Sequence, residues 1–163
     1  HLAYASNGTV YIHESGGWQV EQTLAVPGAG PVAWSPDGSQ LAVGAGDTVS
    51  IYGTDDWQRD RTLTATNRPV GTVTWSPDGS RLAYGSRDTN VYVHETDGWN
   101  LTQTLTNANQ RILPDSVVWS PGGQFLAYGS IDKNVYIHET DGWNLTRTLS
   151  DAQTPVGAVT VLP

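Results

Sequence analysis

Val73-Thr74-Trp75-Ser76-Pro77-Asp78-Gly79 decides the fold, because the chain repeats it. Val32-Ala33-Trp34-Ser35-Pro36-Asp37-Gly38 and Val117-Val118-Trp119-Ser120-Pro121-Gly122-Gly123 are copies. A degraded fourth copy, Val159-Thr160-Val161-Leu162-Pro163, lies at the C-terminal end. Each copy alternates apolar and polar residues, as a half-buried strand does, and then turns. Pro fixes φ at the second turn position, Asp tolerates the third, and Gly takes the positive φ.

Working outward, each unit reads as four short strands, a to d. Strand b follows strand a: Leu41-Ala42-Val43-Gly44, Leu82-Ala83-Tyr84-Gly85, Leu126-Ala127-Tyr128-Gly129, and Leu2-Ala3-Tyr4-Ala5 at the N-terminal end. Strand c is Val10-Tyr11-Ile12-His13, Val49-Ser50-Ile51-Tyr52, Val91-Tyr92-Val93-His94 and Val135-Tyr136-Ile137-His138. Strand d is expected to open on Trp18, Trp57, Trp99 or Trp143 and to end in Thr-Leu.

The spacings separate frame from variable surface. From the strand-a Trp to the strand-b Leu is always 7 residues, and from the strand-d Trp to its final Leu always 6. From that Leu to the next strand a the intervals are 10, 12, 14 and 12. Length variation is thus concentrated in the d–a loops, which places it on one face of a repeat protein. Residues 90–105 and 134–149 agree at 14 of 16 positions, as in a recent duplication.

Four strands in about 40–45 residues is the unit of a β-propeller blade. The order Val-x-Trp-Ser-Pro-Asp-Gly, Leu-Ala-x-Gly-Ser, x-Asp-x-x-Val-x-Val over 73–93 resembles the WD-repeat family, and the resemblance recurs in register along the chain. A six-bladed, enzyme-associated propeller family shares Trp-Ser-Pro-Asp-Gly, but the Trp-led strand d fits WD repeats better. The Trp-Asp dipeptide of the family is replaced by His13-Glu14, Tyr52-Gly53, His94-Glu95 and His138-Glu139, and the preceding Gly-His is absent. The turn Asp of the family is kept at Asp47, Asp88 and Asp132, whereas the first unit has Asn7-Gly8. The resemblance implies an all-β propeller, and the family's buried His–Ser–Asp–Trp network cannot form here as usual.

The strand order is b-c-d, then a-b-c-d three times, then a. This gives a split blade from residues 1–24 plus 157–163, and blades at about 31–63, 72–105 and 116–149. An unpaired strand edge should find a partner. Four blades closing alone would need an angle of about 90 degrees between neighbours, against about 45 degrees in a ring of eight. The sequence therefore predicts a homodimer that forms one eight-bladed ring, with Val159, Val161 and Leu162 in the assembly strand.

With 163 residues the chain can bury the core of one domain. It carries 16 acidic residues, 12 of them Asp, against 8 basic residues with a single Lys, Lys133. The net charge of −8 argues against nucleic acid and anionic membrane as partners. It fits a self-repelling soluble surface, with salt adaptation as the sharper alternative. No membrane span or signal peptide is visible, and a cytoplasmic setting is favoured. The absence of Met suggests a processed chain or a piece of a longer one, and the absence of Cys excludes disulfides.

Catalytic chemistry finds no constellation. His13, His94 and His138 occupy one place in different blades, so repeat symmetry spreads them, and each adjacent Glu points to the opposite face. Structural packing is the reading for them, over a metal site. Ser35, Ser76 and Ser120 precede Pro in turns without a partner His, so a hydrolase is not expected. Asp47, Asp88 and Asp132 are read as turn caps that accept backbone amides, with calcium binding as the alternative. Trp34, Trp75 and Trp119 are assigned to the packing between blades. Trp18, Trp57, Trp99 and Trp143 are assigned to covered edges, with a carbohydrate platform as the alternative. No cofactor is expected. The functional expectation is a non-catalytic scaffold that binds an unidentified protein or peptide on the d–a loop face through Arg68, Asn109, Gln110 and Arg111. The alternatives are a sugar- or small-ligand-binding propeller, or a fragment without independent function.

Overall fold

The computed structural model describes residues 1–162, and Pro163, the last residue of the degraded repeat, lies outside them. The described residues contain fifteen strands in four antiparallel sheets and no helix. The first sheet has three strands, β1 (Leu2–Ser6), β2 (Thr9–His13) and β3 (Val20–Ala25). The second runs β4 (Ala29–Trp34), β5 (Gln40–Ala45), β6 (Thr48–Gly53) and β7 (Arg59–Leu63). The third runs β8 (Val70–Trp75), β9 (Arg81–Ser86), β10 (Val91–Glu95) and β11 (Leu101–Leu105). The fourth runs β12 (Ile112–Trp119), β13 (Phe125–Ser130), β14 (Val135–Glu139) and β15 (Leu145–Leu149).

Each sheet is a meander in which consecutive strands pair, so every blade is built from local sequence. The four blades, I to IV, follow one another along an arc through β1, β4, β8 and β12, each packed on the next. Three separate cores result, one between each pair of blades. The seam between blades III and IV shows the logic. Val91, Val93 and Leu105 of blade III meet Trp119, Leu126 and Tyr128 of blade IV. The strand-b Gly is what lets the blades approach. A Cβ on Gly85 would stand 2.5 Å from Ile112 Cγ2, closer than packed atoms approach.

One expectation needs correction. The strand-d Trp residues do not open strand d. Trp18, Trp57, Trp99 and Trp143 lie two residues before it, in a turn at φ values of 57, 56, 58 and 59°. This left-handed backbone is costly for a bulky side chain. It is held by hydrogen bonds such as Trp57 N–H to the Gly53 carbonyl at 3.1 Å. It also turns the indole back onto the strand-a Trp of its own blade. Trp34–Trp57, Trp75–Trp99 and Trp119–Trp143 meet edge to face at centroid distances of 6.0, 5.7 and 6.1 Å.

Residues 158–162, expected as the strand that completes the first blade of another copy, make no ladder in the single chain. A strand needs a neighbour, and among the described residues no pairing joins the C-terminal segment or the fourth sheet to the first. Blade I is left with an open β1 edge where its strand a would lie.

Candidate functional site

The d–a loops and the b–c turns meet on one face of the arc, and a polar network ties them together. In blade III the Thr66 hydroxyl lies 2.7 Å from Ser86 Oγ and donates to Asp88 Oδ2 at 2.7 Å. Tyr92 OH donates to the same carboxylate oxygen at 2.7 Å, and Asp88 Oδ1 accepts the Asn90 amide at 3.1 Å. Ser86 Oγ donates to the Arg68 carbonyl at 3.0 Å. Blade IV repeats the device. Asp132 Oδ2 accepts the Asn109 amide at 2.8 Å and Tyr136 OH at 2.8 Å, and Ser130 Oγ donates to the Gln110 carbonyl at 2.9 Å. Burial, and then the neighbouring Asp, raise the ionisation of Tyr92 and Tyr136 above the usual phenol range, so both stay neutral donors.

The consequence is a loop face with a fixed main chain and free side chains. Arg68, Asn109, Gln110 and Arg111 are all exposed, while the backbone around them is anchored from below. Arg68 stands on the loop before blade III, and the other three on the loop before blade IV. Of the turn acids, Asp88 and Asp132 join such a network. Asp47 is exposed and outside it, because Ala45 and Ser50 replace the Ser and Tyr the network needs. Sequence reasoning missed Thr66, Ser86, Ser130, Tyr92 and Tyr136. The signal was present: the two blades whose strand b ends in Gly-Ser and whose turn keeps its Asp both carry Tyr at the second strand-c position.

The recurring His residues stay within their own blades. His94 Nδ1 bonds the Trp99 carbonyl at 3.1 Å, and its Nε2 meets Tyr84 OH at 3.1 Å. His138 does the same with Trp143 and Tyr128, at 3.1 and 3.3 Å. A ring that bonds a carbonyl through Nδ1 carries its proton there, so Nε2 accepts from the Tyr hydroxyl. Burial pushes both imidazoles below the ordinary histidine range, offset in part by the Trp carbonyl. Among the described residues no group of three or more His, Asp or Glu side chains is placed to hold a metal ion.

On the opposite ends of the strands the Ser-Pro-Asp-Gly turns line the seams. Ser35 Oγ donates to Asp37 Oδ1 at 2.6 Å, and Ser39 also bonds it, holding the Asp37 carboxyl down at about 2. The hydroxyl is therefore an element of the turn. Between blades II and III a cavity of about 410 Å³ is lined by Asp37, Gln40, Trp75, Asp78 and Trp99. In the next seam the residue equivalent to Gln40 is Arg81, whose guanidinium lies 5.5 Å from the Trp143 ring centre. Trp57, Trp99 and Trp143 are partly covered, whereas Trp18 is 61% exposed.

Comparison with known proteins agrees with this geometry. The family model described as WD domain, G-beta repeat matches residues 57–95 and 99–139. No curated protein sequence matches the chain. Among solved structures 1314 chains match, so the fold by itself does not single out a function. One is a chain of the structure titled "Crystal Structure of Mitotic Checkpoint Complex", with 27% identity and a TM-score of 0.90. The alignment covers 99% of the present chain and 50% of that one, so the chain spans half the length of this neighbour.

Proposed function

Since this chain is a run of WD-repeat propeller blades, we propose that it is a non-catalytic scaffold whose d–a loop face binds a protein or peptide partner, and whose ring is closed by a second copy. One observation carries the binding face. The network of Asp88 and Asp132 pins the loop backbones while the side chains of Arg68, Asn109, Gln110 and Arg111 stand free. A fixed loop loses little entropy on binding, so exposed guanidinium and amide groups on it are ready to engage a partner. Arg68 and Arg111 favour carboxylates, which they grip in a fork, so an acidic segment is the partner chemistry that fits.

A peptide-display selection against the full chain tests this. Peptides rich in Asp and Glu should be enriched, and the double variant Arg68→Glu, Arg111→Glu should lose them while keeping its circular dichroism spectrum. Selected peptides that bind wild type and double variant alike would overturn the assignment of this face.

A further inference from the structure

The cavity between blades II and III lies on the a–b turn face, away from the loops of Arg68 and Arg111, and between two complete blades. Its volume of about 410 Å³ is within the range of small-ligand clefts. Three observations say which group it takes. The first is an aromatic wall. Trp99 meets the buried Trp75 edge to face, at a centroid distance of 5.7 Å and an interplanar angle of 77°, and both line the cavity. Trp75 Nε1–H is spent on the Ala33 carbonyl at 3.0 Å, so its indole offers the cavity ring surface and no donor.

The second is the cation of the next seam. Trp119 and Trp143 repeat the aromatic pair there, at 6.1 Å and 74°. Arg81 holds in blade III the position that Gln40 holds in blade II. Its guanidinium lies 5.5 Å from the centre of the Trp143 ring, a cation–π distance. Gln40 is shorter and uncharged, so the chain supplies no cation from that position beside Trp99.

The third is charge. Asp37 and Asp78 both line the cavity, and the turns that carry them abut: a Cβ on Gly79 would lie 3.6 Å from Pro36 Cδ. Each carboxylate is oriented by its own turn. Asp37 accepts the Ser35 and Ser39 hydroxyls at 2.6 and 2.9 Å, and Asp78 those of Ser76 and Ser80 at 2.6 and 2.8 Å. These bonds, that of Ser35 first, hold Asp37 at about 2, and those of Ser76 and Ser80 hold Asp78 below the usual carboxylate range. Both are therefore anionic at neutral pH. Among the described residues the one ion pair joins His1 and Glu21, so neither Asp is neutralised. In the Arg81 seam Gly122 stands where Asp78 stands here, so one carboxylate there goes with one cation. The seam of blades II and III has two carboxylates and none.

We propose that this cavity binds the guanidinium of an arginine side chain from a partner protein, stacked on Trp99 in the place that Arg81 takes on Trp143, with Asp37 and Asp78 as its acceptors. A flat, forked donor suits an aromatic face flanked by carboxylates better than a compact ammonium does. The a–b turn face then takes a basic segment, and the site is independent of the d–a loop face.

Nuclear magnetic resonance of the full chain tests this. The probe is the peptide acetyl-Gly-Arg-Gly-amide, with its citrulline counterpart as the uncharged match. The readout is the indole N–H signal of Trp99, identified by its loss in Trp99→Phe. The arginine peptide should shift it saturably, while the citrulline peptide leaves it in place and the Trp143 signal, already covered by Arg81, does not move. Asp37→Asn should weaken binding roughly tenfold. Gln40→Arg should abolish it at an unchanged circular dichroism spectrum, because the chain then fills the place itself. Arg68→Glu, Arg111→Glu should bind the peptide as wild type does, so failure here leaves the reading of the loop face untouched. No saturable shift, an equal response to the citrulline peptide, an equal shift at Trp143, or full binding by both Asp37→Asn and Gln40→Arg would overturn the proposal. Saturation by free agmatine without saturation by the peptide would assign the cavity to a small guanidine compound and overturn the protein partner.

Discussion

At the residue scale the inner frame of blades III and IV is set by Tyr–His pairs that share a proton. Tyr84 OH and His94 Nε2 meet at 3.1 Å in the buried interior of a seam. Tyr84→Phe leaves Nε2 without its donor, and a loss of about 1 kcal/mol in urea unfolding is the expected outcome. The imidazoles also set a pH dependence. Burial lowers the folded-state ionisation of His94 and His138 below the 6.5 of an unfolded histidine. The unfolded chain therefore binds more protons below that pH, and stability should fall as pH drops through 6.5. A second loss begins below about 4 as Asp37, held at about 2 by Ser35 and Ser39, resists protonation that the unfolded chain accepts. Thermal melts of the variant His94→Gln, His138→Gln should show the second loss and a flattened first one. A wild-type melt that is level between pH 7 and 5 would contradict the histidine account.

At the scale of the element, the blade was largely legible and its corners were not. Alternation, the Pro-Asp-Gly turn and constant spacing were enough to place strands a, b and c, because each encodes a local preference that repetition then averages. The Trp residues before strand d were misplaced into the strand. A bulky residue at positive φ runs against its own propensity and is held here by a turn hydrogen bond such as Trp57 N–H to the Gly53 carbonyl, with the edge of another indole behind it in blades II to IV. The loop network escaped for a related reason: Thr66 and Asp88 lie 22 residues apart, and no spacing rule joins them. Close seams make two further outcomes checkable by calorimetry. Gly85→Ala would push a methyl into Ile112 and Thr72 and should cost about 1–3 kcal/mol. Gln40→Arg should place a guanidinium over Trp99 between Asp37 and Asp78, as Arg81 lies over Trp143, and stabilise by about 0.5–1 kcal/mol.

At the scale of the whole molecule, stability is distributed over seams between blades, with no single centre. Each core is shared by two neighbouring blades, so a change that loosens one seam is felt on both sides of it. Removing residues 156–163 should leave blades II to IV folded by circular dichroism, since none of their strands lies in that segment. In the ring closed by a second copy proposed above, the seating of Val156 on blade IV, where its N–H donates to the Ser130 carbonyl at 3.1 Å, would have a kinetic meaning. The segment is already aligned before any encounter, so little of the ordering cost remains for the moment of association. What slows two copies is then their charge, −8 on each. Like-charged bodies meet more often when their fields are screened, so added salt should speed ring formation in stopped-flow mixing and leave its rate of opening almost unchanged.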